Sequence, residues 1–216
     1  IGSALRPTQP FRYRFRLEAG GQNWDAYGAL YKLANKTLPG GSCYSVGLGG
    51  HICGGGYGLL SRKYGLVCDW LSGVDILVPD SQGKGLEPRH VSRDSTQQDE
   101  LDLFAACCGA GGGQFGIITS YYFKDLPPAP KEVLWLVLEW DWSVLTQDAL
   151  NNLLVAYQLW FASHQSNPDT WGLATKLEMR HEHTGNITLG IHYVDKEGEL
   201  NDRAPFDDFV DKMLTA

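Results

Sequence analysis

The chain has 216 residues, 18 of them Lys or Arg and 25 Asp or Glu, for a formal charge of -7. That balance excludes a nucleic-acid partner, which needs cations clustered against phosphate. An apolar share of 43% with 20% charged residues is that of a globular chain with room for one large domain or two small ones. No apolar run, residues 133–138 included, is long enough for a bilayer helix, so no membrane partner is expected. No signal-peptide pattern opens the sequence, and a start at Ile1 reads as a mature, trimmed or partial chain.

Residues 11–19 alternate apolar and polar side chains and predict a strand with one solvated face, broken by Gly20-Gly21. Asn23 or Asp25 caps a helix whose apolar face is Ala26, Tyr27, Leu30, Tyr31 and Leu33. Pro39 then opens the densest stretch in the chain: nine of the nineteen residues 40–58 are Gly. Glycine at this density is costly in backbone entropy, and a linker would carry Ser, Pro and charge instead. Here the glycines are interleaved with Val46, Leu48, Ile52, Tyr57 and Leu59, which are residues that bury. The pattern predicts main chain laid against a flat or charged ligand.

Residues 59–64 predict a short helix stopped at Gly65. Residues 67–78 predict an apolar strand with Asp69 at its entry, and the polar residues 80–100 a loop. A helix over 101–106 runs into a second glycine cluster, 109–116, followed by a β-rich strand over 117–123. The prolines at 127, 128 and 130 mark a domain boundary. Beyond them come a strand over 133–140, a helix from about Thr146 to about Ser163, strands over 173–179 and 187–193 joined by a polar turn at 182–185, and a final helix over 205–213. Strand, helix, strand, strand, helix is an α+β pattern.

Five cysteines, Cys43, Cys53, Cys68, Cys107 and Cys108, show no zinc spacing, and the vicinal pair reads as two buried thiols. His181 and His183 have a metal-like spacing with no third ligand nearby, so a solvated strand face is expected and no metal site is assigned. Trp135, Trp140 and Trp142 read as core and rim residues or as a sugar-stacking platform.

The glycine-rich motifs carry a family resemblance. Gly41-Ser42-Cys43-Tyr44-Ser45-Val46-Gly47-Leu48-Gly49-Gly50-His51 with Gly54-Gly55-Gly56-Tyr57-Gly58, then Ser61-Arg62-Lys63-Tyr64-Gly65-Leu66 and Asp69, resembles the flavin-binding core of the berberine-bridge-enzyme-like oxidases, within the wider vanillyl-alcohol-oxidase fold. Gly111-Gly112-Gly113-Gln114-Phe115-Gly116-Ile117-Ile118-Thr119 is similar to a later flavin-contacting segment of that family. Residues 18–25 and 121–127 are nearest to a subgroup that oxidises sugars, including hexose oxidases acting on glycopeptide antibiotics.

The resemblance implies an α+β chain holding the second half of a PCMH-type FAD-binding domain over 1–126, followed by part of an α+β substrate domain over 127–216. It implies FAD as cofactor, with Cys43, Val46, Gly47, Gly49, Gly50, His51, Gly54, Gly55, Gly56, Gly58, Gly116, Ile117 and Ile118 as cofactor-binding positions. In the family a cysteine at the position of Cys43 bonds to the ring's position 6. Glycines admit main-chain N–H groups to the pyrophosphate and ring carbonyls. Asp69 reads as a turn cap or a flavin contact. The implied chemistry is oxidation of an alcohol to a carbonyl, or of a lactol to a lactone, on a carbohydrate or glycosylated metabolite, with molecular oxygen reduced to hydrogen peroxide.

Gln114 stands where the family usually has Asn, and Ala110 interrupts its glycine run. Nothing before Glu18 matches the family's N-terminal Arg, Gly, Gly and His motif, and its C-terminal segment with a catalytic tyrosine has no counterpart. The resemblance thus implies the middle of a longer enzyme, and no catalytic base is assigned. Two alternatives stay open: a non-catalytic binding module of the same fold, and an oxidative ring-closing enzyme.

Overall fold

The computed structural model describes residues 12–216, so Phe11 of the strand expected over 11–19 lies outside the described residues. Two compact units are present. The first holds the described chain up to Ser61 and then Gly65–Pro127, and the second holds Arg62–Tyr64 and Pro128–Ala216.

The first unit is built on an antiparallel sheet of β1 (Phe15–Glu18), β2 (Leu71–Pro79), β3 (Leu86–Ser92) and β4 (Ile117–Phe123), in the order β1-β4-β2-β3. One sheet face buries Leu71, Val74, Ile76, Tyr121 and Phe123. Against it pack Ala26 and Leu30 of α1 (Asn23–Ala34), Leu48 and Ile52 of α2 (Leu48–Cys53), and Phe104 of a later helix, Gln98–Ala106. Ile52, Leu71 and Phe123 are each fully buried, a contribution of about 1.5–3 kcal/mol per side chain.

Several expectations are corrected here. Residues 67–78 are not one strand: α4 (Val67–Trp70) makes one helical turn before β2 begins at Leu71, and the short α3 (Ser61–Tyr64) precedes it. Asp69 Oδ2 accepts from the Leu66 N–H at 2.7 Å and closes the start of that turn, so Asp69 acts as a local cap. The loop expected over 80–100 contains β3, which pairs with β2 from Gly73↔Ser92 to Pro79↔Leu86. Because β3 is the sheet edge, it tolerates Pro88 and exposed polar residues. Neither Asn23 nor Asp25 caps α1; Gln22 occupies that position without a side-chain cap. Helix α2, which the sequence pattern did not predict, lies inside the glycine stretch. The helix expected over 101–106 starts earlier, as α5 (Gln98–Ala106).

The second unit has an antiparallel sheet of β5 (Leu134–Trp140), β6 (Leu173–Met179) and β7 (Ile187–Tyr193), with β7 central. Two helices, α6 (Gln147–His164) and α7 (Ala204–Thr215), join it around Leu153, Trp160, Leu189, Ile191, Phe206, Phe209 and Met213. Thr146 Oγ1 caps α6 by accepting from the Ala149 N–H at 3.1 Å. The Arg62 guanidinium stacks on the Phe161 ring at 5.0 Å and donates to the Leu173 carbonyl at 3.2 Å. Among the described residues no helix is long and apolar enough to cross a membrane.

Candidate functional site

The glycine stretch is organised by three side chains. Asn23, at the start of α1 and fully buried, donates from Nδ2 to the carbonyls of Gly41 and Cys43, each at 3.1 Å. The Tyr27 hydroxyl donates to the Gly41 carbonyl at 2.8 Å. Burial pushes the Tyr27 phenol up to about 12, which keeps it a donor. His51 Nε2 accepts from the Gly41 N–H at 2.8 Å, and burial holds its imidazole below the ordinary value. The ring of His51 is therefore engaged with main chain. A β-carbon on Gly58 would lie 1.7 Å from the Gly40 carbonyl oxygen, so this crossing of main chains admits no side chain. Ser61 Oγ locks it, accepting from the Gly58 N–H at 2.9 Å and donating to the Pro39 carbonyl at 2.8 Å.

The two glycine clusters meet across a cavity of about 280 Å³ lined by Gly49, Gly50, Cys53, Gly112, Gly113, Gly116, Ile117 and Ile118. Gly112 presses on Cys53, where a β-carbon would stand 2.4 Å from Sγ. At Gly50 and Gly113, by contrast, a β-carbon would enter open space. The floor of the cavity is therefore smooth main chain from two helix and loop segments, with an isoleucine wall.

Of the positions singled out in sequence, Gly49, Gly50, Gly116, Ile117 and Ile118 line this cavity. Val46, Gly47, Gly54, Gly55, Gly56 and Gly58 stand outside its lining, in the segments flanking α2, and His51 lies within α2 without lining it. Cys43 also stands outside it, with its side chain exposed. Sequence reasoning left out Gly112 and Gly113, which sit inside the second quoted motif, and Cys53, which falls between the two quoted pieces of the first, and it gave Asn23 only a capping role.

The remaining candidates resolve simply. Burial pushes Cys107 up to about 11 and Cys108 up to about 12, so both stay protonated, although Cys108 is only half buried. His181 and His183 sit exposed in the turn after β6 and not on a strand. Trp142 Nε1 donates to the carbonyls of Arg180 and Gly185, pinning that turn, and Trp140 packs against the core. Trp135 is 56% exposed, with its ring over Gly190, where a β-carbon would touch it at 3.4 Å.

An FAD binding domain family matches residues 14–84. The chain is 49% identical to the hexose oxidase of Chondrus crispus over 141 residues, which is 65% of this chain and 26% of that protein. It is 38% identical to the aclacinomycin-N/aclacinomycin-A oxidase of Streptomyces galilaeus over 164 residues, 71% of this chain and 29% of that protein. Among solved structures, a glycopeptide hexose oxidase complexed with teicoplanin matches with a TM-score of 0.81 at 31% identity, over 93% of this chain and 43% of that one. The chain thus spans less than a third of the length of these curated relatives.

The fold and the family match together define an FAD-binding domain of the PCMH type. The chain is similar to proteins named as berberine-bridge-enzyme-like and FAD-linked oxidases.

Proposed function

We propose that the chain carries the flavin-holding segment and part of the substrate-bearing segment of an FAD-dependent oxidase acting on a hydroxyl or lactol carbon of a sugar, free or attached to a larger metabolite. The products are the carbonyl or lactone and, from molecular oxygen, hydrogen peroxide. The observation that carries this is the meeting of two glycine clusters, far apart in sequence, on one cavity. Its lining suits a flat ring: bare main chain at Gly50 and Gly113, no charged side chain, and Ile117 and Ile118 as an apolar wall. FAD, when bound, supplies the acceptor for a hydride taken from the hydroxyl-bearing carbon.

Each residue has a defined part in holding it. Gly49, Gly50, Gly113 and Gly116 offer main-chain groups without side-chain collision. His51 and Tyr27 hold the Gly41 peptide from both sides, and Cys43 is the group assigned to covalent attachment. Residues 1–126 are assigned to the FAD-binding domain and 127–216 to the substrate domain, supported by the division of the chain at Pro127. The names of two relatives, a hexose oxidase and a glycopeptide hexose oxidase, support a sugar as substrate. Trp135, a flat exposed ring on the second unit's sheet, is the stacking surface assigned to it.

The test is to purify the full chain, denature it, and record whether flavin absorbance stays with the polypeptide, then to follow peroxide release with hexoses and glycosylated metabolites. Retained flavin and sugar-dependent peroxide are expected. A colourless protein that takes up no FAD in titration overturns the proposal and favours a binding module of the same fold.

A further inference from the structure

We propose that Asn23 is a positioning residue for Cys43, its carboxamide setting the turn that presents the thiol for flavin attachment. This rests on the assignment of Cys43 as the attachment point.

The side chain is fully buried and spends Nδ2 on two carbonyls, those of Gly41 and Cys43, on either side of Ser42. Its other end, Oδ1, is buried without a hydrogen-bond partner. Turning the amide over would set that oxygen against two carbonyl oxygens, so the orientation follows from its surroundings. A buried acceptor without a partner costs stability, and an apolar side chain of similar size would avoid that cost.

Satisfying the two carbonyls does not require Asn23. The Gly41 oxygen also receives the Tyr27 hydroxyl at 2.8 Å, and the Cys43 oxygen receives the Val46 N–H at 3.4 Å. What Asn23 adds is geometry: one rigid amide fixes the spacing of both carbonyls and so the direction in which Cys43 leaves the turn. The flanking main chain is held by the same end of α1, with the Asn23 N–H on the Val46 carbonyl and the Trp24 N–H on the Tyr44 carbonyl, each at 3.0 Å. Between these ties the Cys43 thiol is exposed and unconstrained by any disulfide. Carbon–sulfur bond formation demands an aligned approach, and small misplacements are costly in rate.

Attachment exchanges the Sγ–H bond and the ring's C6–H bond for one S–C6 bond. The two protons and two electrons released reduce the ring, and molecular oxygen restores it while being reduced to hydrogen peroxide.

The experiment uses the full chain supplied with FAD. Wild type, Asn23→Leu, Asn23→Asp and Cys43→Ala are compared for total bound FAD, melting temperature, and the time course of FAD retained after denaturation. The expected result is that an Asn23 variant binds FAD and melts like wild type but attaches it about tenfold or more slowly, while Cys43→Ala binds without attaching. A folded Asn23 variant that attaches FAD at the wild-type rate overturns the role of Asn23 and leaves Cys43 as the attachment point. An Asn23→Leu chain that no longer binds FAD shows a folding role and also overturns the proposal. Wild type that never retains FAD overturns the Cys43 assignment and this inference together.

Discussion

The main chain at Gly58 crosses that at Gly40 so closely that a β-carbon on Gly58 would stand 1.7 Å from the Gly40 carbonyl oxygen. The contact is backbone on backbone, with Ser61 Oγ tied to both sides through the Gly58 N–H and the Pro39 carbonyl. Neither partner can swing away as a flexible side chain would. Gly58→Ala should therefore destabilise the first unit by about 3 kcal/mol, lowering the thermal melting midpoint. An unchanged midpoint would show that the crossing relaxes without cost.

Gly50 presents the opposite case. It lies inside α2, lines the cavity, and a β-carbon there would meet nothing within 4 Å. Gly50→Ala should raise helix stability by about 0.5–1 kcal/mol while placing a methyl group in the cradle. The expected pair of results is a melting midpoint at or above wild type and a weaker FAD affinity in titration. Equal FAD affinity would remove Gly50 from the cofactor site.

The His51 nitrogen that accepts from Gly41 must be unprotonated, and burial lowers its pKa from 6.5. The unfolded chain then binds a proton that the folded chain resists. Stability is complete above about pH 6.5 and falls as pH drops from there towards the lower folded value. Burial lowers His192 as well, with the same sign. Melting midpoints recorded from neutral to mildly acid pH should decline for wild type, and His51→Gln should remove part of that decline. If the variant's slope matches that of wild type, His51 is not its source.

Trp135 is 56% exposed, so its removal should cost the fold little. Trp135→Ala is expected to raise KM for a sugar substrate by about 2- to 10-fold, the equivalent of 0.5–1.5 kcal/mol of ring stacking, with kcat nearly unchanged. A KM equal to wild type would place the sugar elsewhere.

Strands β4, β6 and β7 begin and end where the sequence pattern predicts them, because glycines or polar turns flank each and their interiors are rich in β-branched and apolar residues. Thr146 was legible as the start of α6 for an equally local reason. The edge strand β3 was not, since an edge strand needs no alternation and its Glu87, Pro88 and Arg89 read as loop. The turn α4 was hidden because Val67, Cys68, Trp70 and Leu71 flank Asp69 with apolar residues on both sides, leaving no period to distinguish helix from strand. Helix α2 was hidden by Gly49 and Gly50, whose poor propensity is overridden by the burial of Leu48, Ile52 and Cys53.

Glycine density marked both stretches that line the cavity but did not separate glycines that face it from those that only let the backbone turn or cross. Gly50 and Gly58 look alike in sequence, and only the tertiary neighbours tell them apart. The role of Asn23 depends on carbonyls eighteen and twenty positions away, a separation at which no local pattern operates.

The Cys53 sulfur belongs to the wall of the cradle and touches the second glycine loop. The thiol itself is buried, so a reagent from solvent meets it only when that wall opens. In a Cys43→Ala background, the rate at which a small alkylating label adds mass to the Cys53 peptide is expected to report that opening, and a ligand seated against the wall should slow it, independent of colour and of turnover.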